Sequence, residues 1–350
     1  MIQPTLRTYQ MVLRGRWRWV IAFALPVRRR KSRQGYRHRT DPAPADVYLR
    51  GRMPSLAKSP LAPILGQRVP LRGPARMLFR SYARTCYQPG MCVERLTTKL
   101  GDLFEADLSS FIEWQLWAFG SYEGHFAELF RRLVCPGGRC IDVGANVGVH
   151  TVRLARLVGS RGEVIAIEPD EELAHRAQRN IMLNQLSNAH VINAAASDEG
   201  GGKVSLYRPD VRDTNRGRAS LLRHSYLTGS VSTVPVVTID EICPGPVALI
   251  KIDVEGHEAA VVRGAAAAID RYSPAVVFEY NPEFLRDASQ SPFGWLADRG
   301  YELLGIRWIR NGVTGRGRLA LDRLQELPAE GGNILAVKVP RPERLSALVD

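Results

Sequence analysis

The chain has 350 residues, 45% hydrophobic and 24% charged, with a formal net charge of +13, which is long and apolar enough to bury a substantial core. Its five cysteines, Cys86, Cys92, Cys135, Cys140 and Cys243, have no metal-type paired spacing and leave one over in any disulfide scheme, so they read as reduced thiols of a cytoplasmic protein. Residues 1–60 hold 14 Lys and Arg against 2 Asp and Glu, and the other 290 residues hold 34 against 33, so a basic arm precedes a nearly neutral body, unlike a nucleic-acid enzyme with its basic surface around the active site.

Residues 1–80, rich in Arg and Pro, are expected to form a basic, disordered arm. Its one apolar run, Trp17–Val27, is interrupted by Arg18 and is far shorter than the roughly 20 residues of a membrane span. Arg28-Arg29-Arg30-Lys31 follows directly, so residues 1–60 suit a peripheral contact with anionic lipid. No small-residue cleavage site precedes the charge run, which argues against a secretory signal. The start of translation stays open among Met1, Met53 and Met77.

Residues 81–130 are expected to be N-terminal cap helices. Leu108, Phe111, Ile112, Leu116 and Phe119 recur at helical spacing between Asp107 and Phe119, and Phe126 to Leu133 continues the pattern after Gly120.

From Arg139 on, strands and helices alternate, the signal of a doubly wound, mostly parallel α/β sheet. Seven strands are predicted near 140–144, 163–168, 189–194, 247–253, 275–280, 301–307 and 333–338, with helices near 148–158, 171–185, 256–271 and 291–299. Ligands in such a sheet bind outside the carboxyl ends of the strands. Gly144, Glu168, Asp198 and Asp253 should therefore converge.

Residues 140–170, CIDVGANVGVHTVRLARLVGSRGEVIAIEPD, carry the clearest functional signal. A short strand leads into the tight turn Gly144-Ala145-Asn146-Val147-Gly148, then a helix, then a second strand with Glu168 at its carboxyl end, where an acid can accept hydrogen bonds from ribose hydroxyls. A dinucleotide site wants G-x-G-x-x-G so that a pyrophosphate can sit on the helix N-terminus. Asn146 takes the middle glycine position here and no third glycine follows Gly148. S-adenosylmethionine (SAM), which has ribose but no pyrophosphate, suits the turn better than NAD.

Three more segments complete a pattern: NAAASD at 193–198, VVTIDEI at 236–242 and LIKIDVEGHE at 249–258. With IDVGANVG and EP, their order resembles the FkbM family of SAM-dependent methyltransferases over about residues 105–340. The likeness starts weakly at FIEWQLWAFGSYE, is most specific at IKIDVEGHE and ends at NILAVK (333–338). It implies a class I methyltransferase domain over 131–340, with the last two strands forming an antiparallel edge hairpin, and an oxygen acceptor on a small molecule, a sugar or glycan, or a lipid-linked compound.

Asp142, Gly144, Asn146 and Gly148 are expected to line the methionine part of SAM, with the Asn146 amide near its carboxylate. Glu168 should hold the ribose, and Asp198 should accept from the adenine amino group. Asp253 is placed in the pocket, and the acceptor's proton goes to His257, Glu255 or Asp253. Glu279, closing the VVFEY strand, is a further candidate, since a buried acid needs a partner or a task. Asp253, Glu255 and Glu279 have the chemistry to bind a hard cation, but no His or Cys cluster supports one and no metal is expected. The loop from Arg208 to Ser230, with six Arg and His side chains from Arg208 to His224, should lie over the pocket as a lid or remain a solvated loop. The competing reading is a noncatalytic SAM-fold module tethered by its basic arm to a membrane or polyanion. The oligomeric state is not legible.

Overall fold

The computed structural model describes residues 6–13, 16–23, 93–108, 110–210, 217–243, 245–284, 291–310, 317–340 and 343–349. The chain divides into two compact units, Met1–Arg52 and Met53–Asp350. In the first, β1 (Leu6–Leu13) and β2 (Arg16–Phe23) pair as an antiparallel hairpin, with Leu13 opposite Arg16. The basic run 28–31, the Pro-rich stretch to Arg80, Cys86, Cys92, Arg212 and Arg216 lie outside the described residues. Among the described residues, no helix is long and apolar enough to cross a membrane.

The second unit opens on a hairpin, β3 (Val93–Thr97) and β4 (Leu103–Asp107), followed by α1 (Phe111–Phe119) and α2 (Gly124–Leu133). The helix expected from Asp107 therefore starts four residues later. Residues 103–107 alternate in burial, placing Phe104 and Ala106 inward, a period-two pattern that the helical spacing of Leu108 and Phe111 obscured. Gly120 ends α1 at φ +66°, with its N–H returned to the Leu116 carbonyl.

The central sheet is built from β5 (Arg139–Val143), β6 (Glu163–Ile167), β7 (Ala189–Ile192), β11 (Leu249–Ile252), β12 (Ala275–Tyr280), β13 (Tyr301–Arg310), β14 (Gly317–Arg323) and β15 (Gly332–Lys338). Its order is β14-β13-β15-β12-β11-β5-β6-β7. The strands from β12 to β7 are parallel and the other three antiparallel. One strand more than the expected seven is present. The chain pairs β13 with β14 before returning through β15, so the edge hairpin is β13/β14 and β15 lies inside the sheet.

Helices cover both faces. Cys140 and Leu249 pack with Val152 and Leu154 of α3 (Val149–Val158) and with Phe126 and Phe130 of α2. Ile141, Ile250 and Phe278 face the other way, against Val261 of α6 (Glu258–Arg263), Ile269 of α7 (Ala266–Tyr272) and Leu296 of α8 (Pro292–Asp298). The expected helix over 256–271 is thus two helices, broken at Gly264, whose added Cβ would meet the Ser197 carbonyl at 1.9 Å. Between β7 and β11 the chain builds a small sheet from β8 (Ala195–Ala196), β9 (Lys203–Tyr207) and β10 (Val231–Val237).

Strand order reverses between β5 and β11: the chain moves outward through β6 and β7 on one side and through β12 on the other. Such a switch point opens a crevice beyond the carboxyl ends of the two central strands. The turn after β5 and the DVEG segment after β11 are the two lips of that crevice.

Candidate active site

A cavity occupies this crevice, with about 1120 Å³ of space when its open mouth is counted. Gly144, Asn146, Glu168, Asp253, Glu255 and Glu279 all line it. Six of the ten residues singled out in the sequence are thereby brought to one place.

The turn after β5 is held from below. Gly144 and Ala145 donate their N–H groups to the Ile167 carbonyl at 2.9 and 3.1 Å, and Asn146 donates its N–H to Glu168 Oε2 at 2.7 Å. Glu168 Oε1 accepts the Asp170 N–H at 2.9 Å. Burial pushes Glu168 up to about 7 against the pull of those two amides. Asp170 caps α4 (Glu171–Leu183) by accepting from Glu172 and Leu173 N–H.

Both glycines of the turn serve the packing of the chain itself. Gly144 has φ +74°, and a Cβ there would stand 1.8 Å from the Asp253 carbonyl oxygen. Gly148, at φ +83°, backs onto Ala177 at 3.3 Å and does not line the cavity. Asn146 is itself left-handed at φ +53°. Its Oδ1 accepts the Val147 N–H at 2.8 Å, so that carbonyl is turned onto its own loop.

Below the turn sits a buried charged group. Lys251 and Asp142 are register partners on adjacent parallel strands. Lys251 Nζ lies 3.4 Å from Asp142 Oδ1 and 3.5 Å from Asp253 Oδ2, and donates to the Gly144 carbonyl at 3.2 Å. Burial works to lower the Lys251 pKa, but Asp253 and Asp142 overcome it and hold the ammonium above its ordinary value. Asp142 Oδ2 also accepts from Thr151 Oγ1 at 2.6 Å. Asp142 is fully buried and supports the turn from behind; it does not line the cavity.

Three of the lining acids cluster together. Burial and the facing Asp253 push Glu255 up to about 7. Burial, Asp253 and Glu255 push Glu279 up to about 9. Glu255 has φ +54° and Gly256 φ +102°, a local strain of the kind found at functional sites. Glu258, the first residue of α6, fastens this segment by accepting Val254 N–H at 3.2 Å and Gly256 N–H at 3.1 Å.

Two expected site residues are placed elsewhere. Asp198 does not line the cavity; it pairs with Arg263 at 2.8 Å and accepts from Ser197 Oγ at 3.0 Å. The chain leaves β7 at Ile192 and enters the small sheet at Ala195, which carries residue 198 past the crevice. His257 is turned onto Ser197 Oγ at 2.9 Å, and burial lowers its pKa. Its position after Gly256, just before α6, points the ring toward Ser197, behind the DVEG segment.

Tyr122, Glu123 and His150 are among the lining residues that were not foreseen. Glu123 Oε2 meets His150 Nε2 at 2.9 Å, a contact across 27 residues of sequence that no local spacing announces. The loop after β9 does reach the cavity through Gly217, Ala219 and Leu221. Ser220 Oγ donates to the Glu255 carbonyl at 2.9 Å. Two of its arginines are engaged by the protein: Arg208 by Asp170 and Ser232, and Arg218 by the Tyr226 ring at 4.1 Å.

Residues 142–303 match the family model described as the methyltransferase FkbM domain. No curated protein matches the chain. Among solved structures, it is similar to a methyltransferase FkbM from Methylobacillus flagellatus KT, at 15% identity and a TM-score of 0.37, covering 63% of this chain and 52% of that one. The chain thus spans about half the length of that relative. It is also similar to a SAM-dependent O-methyltransferase from Thermotoga maritima, at 18% identity and a TM-score of 0.36, covering 72% and 80%, and to a SAM-dependent methyltransferase from Aquifex aeolicus, at 16% identity and a TM-score of 0.34, covering 62% and 90%.

Proposed function

We propose, on the premise that residues 142–303 are an FkbM methyltransferase domain, that the protein is a SAM-dependent O-methyltransferase acting on a hydroxyl of a small molecule, a sugar or glycan, or a lipid-linked acceptor. The observation that carries this reading is the lining of one cavity by the Gly144 turn, Glu168, Asp253, Glu255 and Glu279 together.

The residues present fit the cofactor. Glu168 offers ribose hydroxyls a fixed carboxylate, and Ile167, Pro169, Ala196 and Leu206 supply apolar wall for a base. Several carboxylates suit a sulfonium cation. A pyrophosphate is poorly served, because the space beside Gly144 and Gly148 is filled by Asp253 and Ala177 and Asn146 replaces the open middle glycine.

When bound, the cofactor supplies an electrophilic methyl group. The chain's own task is then to align an acceptor oxygen, keep water out and take one proton. Glu255 is the group we assign as proton acceptor: it lines the cavity, and burial and the facing Asp253 push it up to about 7. Its carboxylate would take the acceptor's O–H proton, while the bound cofactor would supply the methyl group, its carbon–sulfur bond breaking, and leave as the neutral thioether. Lys251 holds Asp253 in place, and Ala219 and Leu221 help exclude water.

Incubation of the purified protein with methyl-labelled SAM and host extract, followed by mass spectrometry, tests the reading. Label on a hydroxyl oxygen of a metabolite, glycan or lipid is expected. Label on nitrogen, or on nucleic acid, would contradict it.

A further inference from the structure

Glu123 stands where a side chain has little reason to be. Its φ of +42° lies in the left-handed region that non-glycine residues rarely enter. It occupies the N-cap position of α2 yet makes no capping bond, so its carboxylate is withheld from the helix it begins. It meets His150 Nε2 at 2.9 Å instead, and both residues line the cavity that holds Glu168.

The histidine is fixed in turn. Its ring lies edge-on to Phe126 and Phe130, with centroids 5.0 and 5.7 Å apart, and the residue is only 9% exposed. His150 belongs to the first turn of α3, directly after the glycine turn. Carboxylates therefore bracket that turn: Glu168 is tied to it through the Asn146 N–H, and Glu123 through His150. Both carboxylates line the cavity beside that turn.

The other carboxylates of the cavity have different work. Glu168 already accepts two backbone amides. Asp253 faces the Lys251 ammonium at 3.5 Å. Glu255 and Glu279 are pushed toward their neutral forms by burial and by Asp253. The bond to His150 uses Glu123 Oε2, and a carboxylate accepts several donors.

We infer that Glu123, oriented by His150, receives the α-ammonium at the amino-acid end of the cofactor. This rests on the SAM reading given above. It assigns the pair to cofactor binding and leaves the acceptor's proton to Glu255.

Titration calorimetry of the full chain with two ligands separates the possibilities. S-adenosylhomocysteine carries the amino-acid end; 5′-methylthioadenosine keeps base, ribose and thioether but lacks it. Glu123→Gln is expected to weaken S-adenosylhomocysteine by about tenfold or more, the loss of one charge-assisted hydrogen bond, and to leave 5′-methylthioadenosine affinity unchanged. His150→Ala should shift the same ligand in the same direction, by less. An unchanged S-adenosylhomocysteine affinity in Glu123→Gln would overturn the inference alone, as would an equal fall for both ligands, which marks a general loss of structure. Wild-type protein that binds neither ligand would remove the SAM reading, and this inference with it.

Discussion

Lys251 Nζ lies 3.4 Å from Asp142 Oδ1, across two adjacent parallel strands and with both side chains sealed from water. Removing one partner of such a pair leaves a buried charge uncompensated. Lys251→Met is expected to destabilise the fold by about 3–5 kcal/mol, and adding Asp142→Asn should recover part of that. Urea denaturation of the single and double variants measures both. A single variant as stable as the parent would show that Asp142 and Asp253 do not depend on the ammonium.

The turn glycines make a graded pair. Gly144→Ala drives a Cβ to 1.8 Å from the Asp253 carbonyl, whereas Gly148→Ala meets Ala177 at 3.3 Å, both at positive φ. The first should cost more than about 3 kcal/mol or prevent folding, and the second less. Thermal melts that rank them the other way would show that the DVEG segment yields freely to the turn.

The buried acids set a pH dependence. Glu168, Glu255 and Glu258 are pushed up to about 7 and Glu279 to about 9, so each binds its proton more tightly folded than unfolded. The stability they contribute is full below the ordinary carboxyl value and lost as pH rises through the folded values. The ligand-free protein should therefore lose melting temperature from about pH 5 to about pH 9 through these groups, and Glu279→Gln should flatten the fall by roughly 2 °C or more. Identical pH profiles for parent and variant would contradict this assignment.

In catalysis, the two candidate bases separate cleanly. Glu255→Gln should lower kcat by about a hundredfold or more, and the parent's kcat should rise with pH through the neutral range as Glu255 loses its proton. His257→Ala should leave turnover nearly intact, because the ring bonds Ser197 and does not line the cavity. A collapse in His257→Ala with Glu255→Gln unaffected would reverse the two.

Much of the site was legible where function follows from strand ends. Gly144, Glu168 and Asp253 each close or follow a strand of clear apolar pattern, and parallel topology brings such ends together whatever lies between. Asp198 lies off the cavity lining for a physical reason: the chain switches sheets between Ile192 and Ala195, and that switch leaves no mark in the NAAASD stretch. His257 is turned onto Ser197 because residues after a strand follow a loop whose φ values, +54° at Glu255 and +102° at Gly256, no periodicity foretells. Strand β14 was missed because its apolar run is only Leu319-Ala320-Leu321, set between polar residues. Glu123 and His150 were invisible for the opposite reason: each looks ordinary locally, and only the docking of α2 on α3 joins them.

The central claim is that Glu168 holds the ribose of an adenosyl ligand in this crevice. Calorimetric titration of the parent and Glu168→Ala with S-adenosylhomocysteine and with NAD tests it most directly. The parent should bind S-adenosylhomocysteine and not NAD, and Glu168→Ala should lose about tenfold to a hundredfold in affinity. Unchanged S-adenosylhomocysteine binding in Glu168→Ala, or tight NAD binding by the parent, would contradict it.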